Sequence, residues 1–152
     1  MIIRRATAED IPAISIMKNF NCYDLVQSRL IDIEAGRAEY LVMDDGGLAI
    51  GHVLLAFDGS IYRPGYPDIE DLRVLEARRG QGIGTQLIAA CETLAWVRGH
   101  TRIGLSVNPD LNQRAQALYE RLGYRVIDGQ RYLNGVYDGV EEWVVDMVKE
   151  LT

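Results

Sequence analysis

Residues 75–87 read Leu-Glu-Ala-Arg-Arg-Gly-Gln-Gly-Ile-Gly-Thr-Gln-Leu, and the fold turns on this stretch. Glycines alternate at 80, 82 and 84, directly after Arg78 and Arg79. The residues before them, Asp68 to Leu75, are short and rich in β-formers, so they read as a strand. The residues after them, from about Gly84 to Val97, read as a helix with Leu87, Ile88, Cys91 and Leu94 as its inward stripe. A strand that turns through glycines into a helix N-terminus presents unpaired N–H groups and the positive end of the helix dipole. Such a junction binds anions, phosphates above all. Glycine lets a ligand approach the backbone and permits positive φ, and the two arginines add charge-assisted contacts. The Walker pattern is excluded because no lysine follows these glycines. The dinucleotide fingerprint is broken: Thr85 stands where its third glycine belongs, and the next strand, Arg102 to Val107, carries no acid for a ribose.

Working outward, Met1 to Ala6 reads as a short strand. Thr7 to Phe20 reads as a helix capped by Thr7 with Asp10 three residues on, and Ile11, Ile14 and Met17 form its apolar stripe. Asp24 to Arg37 is a second helix, with Leu25, Leu30 and Ile33 inward and Gly36 at its end. Glu39 to Phe57 is a hairpin around Asp44-Asp45-Gly46-Gly47, followed by a Gly/Pro-punctuated loop, Asp58 to Pro67. Thr101 to Val107 is a strand ended by Asn108-Pro109. Asp110 to Tyr124 is a helix stopped at Gly123. Tyr124 to Asp128 and Glu141 to Leu151 are the last strands, with Asp128 to Gly139 as a turn-rich connection. The result is one α/β domain over residues 1–152, with helices on both faces of a sheet.

Composition narrows the function. The chain has 152 residues, 48% of them hydrophobic and 25% charged, enough to bury a full core without staples. Its net charge of −6 argues against nucleic-acid binding, which needs a basic footprint, and suits a cationic substrate. Cys22 and Cys91 lie far apart and outside any C-x-x-C, so neither a disulfide framework nor a zinc site is expected, and a reducing cytoplasm fits. His52 and His100 are too few for a His-rich metal centre and read as ordinary satisfied or solvent-facing histidines. No signal peptide and no membrane span are expected.

Arg79-Gly80-Gln81-Gly82-Ile83-Gly84 resembles the [RQ]-x-x-G-x-[GA] signature of the GNAT superfamily, the acyl-CoA-dependent N-acyltransferases. Downstream, Asn112, Ala115, Leu118, Tyr119, Gly123 and Tyr124 match that family's N-x-x-A-x-x-[LF]-Y-x-x-x-G-[FY] pattern. The element order agrees, so the resemblance covers nearly the whole chain. It implies a mixed, mostly antiparallel central sheet of roughly six to seven strands, splayed between the fourth and fifth, and acetyl-CoA as cosubstrate with no metal. It implies that main-chain N–H groups of Arg79, Gly80, Gln81, Gly82, Ile83, Gly84 and Thr85 hold the CoA pyrophosphate. Leu72, Arg73 and Val74 would offer main-chain bonds to the pantetheine arm and the acetyl carbonyl. Asn112 would contact the cofactor, and Tyr119 would sit near the thioester sulfur.

Acetyl transfer to an amine needs a base for the ammonium, donors for the carbonyl oxygen and a proton for the departing thiolate. The N–H of Val74 or a neighbour is the expected oxyanion donor. Tyr119, with an ordinary pKa of about 10, is the expected acid; the same position also suits a packing tyrosine. Strict alternation along 68–74 puts Asp68, Glu70, Leu72 and Val74 on one face and Asp71 and Arg73 on the other, unless a bulge intervenes. Related enzymes place a carboxylate at the position of Glu70 or Asp68, often acting through water, and Glu70 is the expected base. Many relatives also carry an acid in the fifth strand, where this chain has Ser106.

The acceptor mouth should come from Cys22–Arg37, Asp58–Pro67 and Asp128–Gly139, which carry Tyr23, Asp24, Tyr62, Tyr66, Tyr132 and Tyr137. An aromatic, acidic mouth suits an amine on a small molecule or a peptide. A non-catalytic acyl-CoA sensor or partner-binding module on the same scaffold is the alternative. A homodimer through the last strands is a further expectation, with Trp143 equally suited to that contact or to the core.

Overall fold

The computed structural model describes residues 1–152. Strand β1 (Ile2–Arg5) leads through a single 3-10 turn into α1 (Ile11–Lys18), and α2 (Tyr23–Glu34) follows. Thr7 closes the expected capping box: its hydroxyl accepts from the Glu9 N–H, and the Asp10 carboxylate accepts from the Thr7 N–H at 2.8 Å. Strands β2 (Ala38–Asp45) and β3 (Leu48–Ala56) form the expected hairpin. Gly46 and Gly47 both have positive φ, as a tight two-residue turn requires. Then come β4 (Asp68–Val74), α3 (Ile83–Val97), β5 (Arg102–Val107) and α4 (Gln113–Arg121). The chain ends in β6 (Arg125–Val126), β7 (Tyr132–Tyr137) and β8 (Val140–Glu150).

Two expectations need correction here. The sheet has eight strands rather than six or seven, because the stretch expected as a turn-rich connection contains β7. Tyr132 to Tyr137 pairs with the first half of β8 around a turn at Asp138-Gly139, both at positive φ. Asn134 and Gly135 interrupted the apolar run enough to hide it.

The strands run in the order β1-β2-β3-β4-β5-β8-β6, with β7 also on β8, and every pairing is antiparallel except β4 with β5. That parallel pair is joined only at Asp68–Gly104 and Ile69–Leu105. Beyond those residues the two strands separate, and the sheet opens into a wedge. The expected fold class, a mostly antiparallel mixed sheet splayed between its fourth and fifth strands, is the one observed.

Two apolar layers flank the sheet. On one face α3 buries Ile83, Leu87, Ile88, Cys91 and Ala95 against β3, β4 and β5, with Ala115 and Tyr119 of α4 and Leu122 at its C-terminal cap packed beside them. Each fully buried Leu or Ile contributes about 1.5–3 kcal/mol, so this face anchors the glycine segment to the sheet. On the other face Ile14 of α1, Val26 of α2 and Cys22, the residue that caps α2, meet Tyr40, Val42 and Leu54. Both cysteines are free and buried. No helix is long and apolar enough to cross a membrane. Trp143 is about half exposed and lies outside both core layers.

Candidate active site

The glycine segment forms a row of idle donors. The Arg79 N–H closes the preceding 3-10 turn on Glu76 O at 3.3 Å, and the Gln86 N–H starts the helix ladder on Gly82 O at 3.0 Å. Between them the N–H groups of Gly80, Gln81, Gly82, Ile83, Gly84 and Thr85 donate to no carbonyl or side chain of the protein. The expected row therefore begins at Gly80, one residue later than the sequence suggested, because the Arg79 amide is already engaged. Gly80 and Gly82 sit at φ 79° and 78°, where a side chain is strained, and nothing lies within 4 Å of the point where a Cβ would be. The two arginines are also committed. Arg78 pairs with Asp45 at 2.7 Å, and Arg79 donates to Val74 O at 3.1 Å. They brace the loop against β2 and β4.

A bulge in β4 sets the geometry of the other half. His52 faces Arg73 and Leu54 faces Glu70, so Asp71 and Leu72 together oppose the single residue Val53. Asp71 takes the strain at φ 54°, a region that aspartate tolerates better than most residues. The extra residue reverses the alternation, which corrects the face assignment made from strict period two. Leu72 and Val74 point to the α3 side, about 3.9 Å from where a Gly84 Cβ would stand. Glu70 lies beside Leu54, on the α1–α2 side, and Asp71 meets Lys18 of α1 and Arg29 of α2 on that same side. All the β4 acids thus face one cleft, and the apolar β4 residues face α3.

In that cleft Arg63, from the loop before β4, is buried against Asp68 and donates to it through Nη2. Its guanidinium lies over the bare Cα of Gly104 and stacks on Tyr66 at 4.2 Å, while Arg102 covers Tyr66 at 4.5 Å. Arg63 Nε is 3.9 Å from Asp146 Oδ1, and Asp146 accepts a 2.7 Å hydrogen bond from the Tyr132 hydroxyl. Tyr132 in turn rests on Tyr62 at 5.1 Å. Burial raises the Asp68 pKa; Arg63 opposes this, but Glu70 and Asp146 add to it. Glu70 therefore stands close enough to Asp68 to help keep the Asp68 carboxyl protonated. Ser106 sits opposite Asp146 in the sheet, so β8 brings a carboxylate to the face on which β5 carries only a serine.

Past the bulge, Asp71 accepts from Lys18 Nζ at 2.6 Å, Arg29 Nη1 at 2.8 Å and Arg73 Nε at 3.3 Å. Burial pushes the Asp71 carboxyl up, but the Lys18 hydrogen bond and the surrounding cations outweigh it and hold it below the usual range. His52 is wholly buried, with Nδ1 on the Tyr40 hydroxyl at 3.1 Å. Burial pushes its pKa down to about 4, so it is neutral.

Tyr119 lies on α4, partly buried against the α3 layer and edge-on to Tyr124 with centroids 6.4 Å apart. Burial alone raises its pKa, and no hydrogen bond contributes. Its phenol therefore keeps its proton at neutral pH and has it free to donate. Asn112 is the N-cap of α4, yet its side chain makes no capping bond. No three His, Cys, Asp or Glu side chains converge to hold a metal. The structure gathers Tyr62, Tyr66 and Tyr132 at one end of the cleft, while Tyr23 and Tyr137 stand exposed. Sequence reading missed Lys18, Arg29, Arg63 and Asp146. Only Arg63 left a signal, an arginine bracketed by Tyr62 and Tyr66 in an otherwise turn-like loop.

Known proteins resemble this chain in sequence and in fold. The chain is 32% identical over 95 residues to the thialysine N-epsilon-acetyltransferase of Mus musculus, covering 62% of this chain and 55% of that one. It is 35% identical over 78 residues to the Bos taurus enzyme of the same name, covering 51% and 45%. The match thus spans about half the length of these curated relatives. Among solved structures, the ribosomal-protein-alanine N-acetyltransferase of Brucella melitensis superposes with a TM-score of 0.79 at 20% identity, covering 99% of this chain and 100% of that one. A GNAT superfamily phosphinothricin acetyltransferase of Sinorhizobium meliloti, solved with acetyl-CoA, superposes at 0.74 and 18% identity, covering 99% and 88%. The model of the acetyltransferase (GNAT) family matches residues 10–124, from the first helical turn through the Tyr119 segment. With its splayed sheet and open glycine turn, the chain belongs to the GNAT family of acetyltransferases.

Proposed function

We propose that this chain is an N-acetyltransferase that moves the acetyl group of acetyl-CoA directly onto a primary amine, with residues 1–152 acting as one domain. One observation carries the reading: the idle N–H groups of Gly80 to Thr85 lie at the head of α3, beside the wedge that opens between β4 and β5. A diphosphate fits such a row of donors, and an extended arm fits the open edge of β4. Acetyl-CoA would supply the acetyl group as an activated thioester.

The protein's own groups then divide the work. The main chain of Leu72, Arg73 and Val74 lines the wedge, and the N–H of Val74 or a neighbour serves the carbonyl oxygen as it gains charge. The unbonded Asn112 side chain is available to the cofactor. Glu70, beside Asp68, takes the proton that the incoming ammonium must lose. The protonated Tyr119 phenol supplies one to the departing sulfur.

The test is a CoA-release assay over a panel of amines, run beside a thermal shift with acetyl-CoA. Stabilisation by several degrees at saturating ligand together with turnover on an amine is the expected result. Stabilisation without turnover on any amine would convert the reading to an acyl-CoA sensor, and no stabilisation at all would end both.

A further inference from the structure

The bulge divides the cleft into two halves of opposite charge. On its N-terminal side Asp68 and Asp146 flank the Arg63 guanidinium, Glu70 stands beside Asp68, and Arg102 lies over Tyr66, so three carboxyl groups meet two guanidiniums. On its C-terminal side the balance reverses: Lys18, Arg29 and Arg73 converge on one carboxylate, Asp71, and none of the three pairs with any other acid. One cation is enough to hold a bulge aspartate. Three leave a local surplus of positive charge, with Lys18 and Arg29 largely withdrawn from solvent. Neighbouring His52 is neutral and adds no charge of its own. Spare N–H donors remain on all three cations, because each uses only one of them on Asp71.

We propose that the acceptor is an amine that also carries a carboxylate, which docks on Lys18, Arg29 and Arg73 while the amine lies toward Glu70 and Asp68. This rests on the acetyl-transfer reading above and narrows its substrate class. The carboxylate completes the charge balance that Asp71 leaves open, and the acidic half of the cleft receives the ammonium. The spacing across the bulge then selects a zwitterion over a simple amine.

The experiment measures CoA release at saturating acetyl-CoA with matched amine pairs that differ only in the carboxylate: alanine and ethylamine, lysine and 1,5-diaminopentane, tyrosine and tyramine. For at least one pair, kcat/KM should favour the carboxylate-bearing member by about tenfold or more. Lys18→Met should lower that ratio about tenfold, and Lys18→Arg should restore most of it. Arg73→Gln, at a half-exposed position, is a second variant should Lys18→Met fold poorly. A merely structural role for the cluster would lower the melting temperature and leave the ratio alone. The inference is overturned if the decarboxylated member is equal or better in every pair, if no carboxylate-bearing amine is acetylated, or if both variants leave the ratio unchanged. Failure of acetyl-CoA to stabilise the protein is a separate result and overturns the reading beneath it instead.

Discussion

Replacing Gly104 by alanine probes the cleft at its tightest point. The added Cβ would stand 2.5 Å from Arg63 Nη2 and 2.6 Å from Cζ. Arg63 cannot simply swing aside, because it is buried, bonded to Asp68 and stacked on Tyr66. Overpacking of this kind costs about 1–3 kcal/mol. At ~2–4 °C per kcal/mol for a domain of this size, the melting temperature should fall by roughly 2–12 °C. Gly104 does not have a positive φ, so alanine itself is conformationally acceptable there. In an Arg63→Ala background the clash partner is gone, and the same change should be neutral or stabilising by about 0.5 kcal/mol. The double-mutant cycle, read by chemical denaturation, should therefore give a coupling of roughly 1–3 kcal/mol. An equal cost of Gly104→Ala in both backgrounds would refute the idea that this glycine is there to seat the guanidinium.

Other outcomes follow from the same geometry. Tyr119→Phe should lower kcat about a hundredfold while acetyl-CoA affinity, measured by calorimetry, stays nearly constant. Gly82→Ala, at φ 78°, should destabilise the protein by about 1–2 kcal/mol and weaken acetyl-CoA binding, whereas Gly84→Ala, without positive φ, should do neither. His52, held down to about 4, takes up its proton in the unfolded chain near pH ~6.5 but in the folded chain only near its lowered value. Its contribution is thus complete above pH ~6.5 and is lost as pH falls, by about 3 kcal/mol at the acid end. Denaturation curves between those limits should show this slope, and His52→Gln should flatten it.

Much of this molecule was legible from residue order. The capping box at Thr7, the Gly46-Gly47 hairpin, the stripe on α3 and the stop at Gly123 are local signals, decided by neighbours in sequence. The glycine segment was legible for the same reason, except for the Arg79 amide, which a short turn had already used. The β4 bulge could not be counted in advance, because it arises from pairing with β3, and it moved Leu72 and Val74 away from the face of Glu70. Strand β7 was hidden because Asn134 and Gly135 break its pattern and only β8 makes it a strand. The cleft's salt-bridge partners escaped altogether. Lys18 and Arg29 lie on helices more than forty residues before Asp71 and look like ordinary surface charges until the fold brings them together.

The β7–β8 hairpin has its own consequence for how such a molecule diversifies. Beyond Val145, toward its start, β8 has no bonds to β5 and is held only by β7. Val136, Tyr137 and Val140 at its tip are exposed, so lengthening, shortening or rewriting that arm leaves the main layers intact. Tyr132 at its base nonetheless reaches the Arg63 end of the cleft through Asp146. Descendants of this chain can thus change the rim of the cleft by editing a peripheral appendage, while the glycine turn and the wedge between β4 and β5 are inherited unaltered.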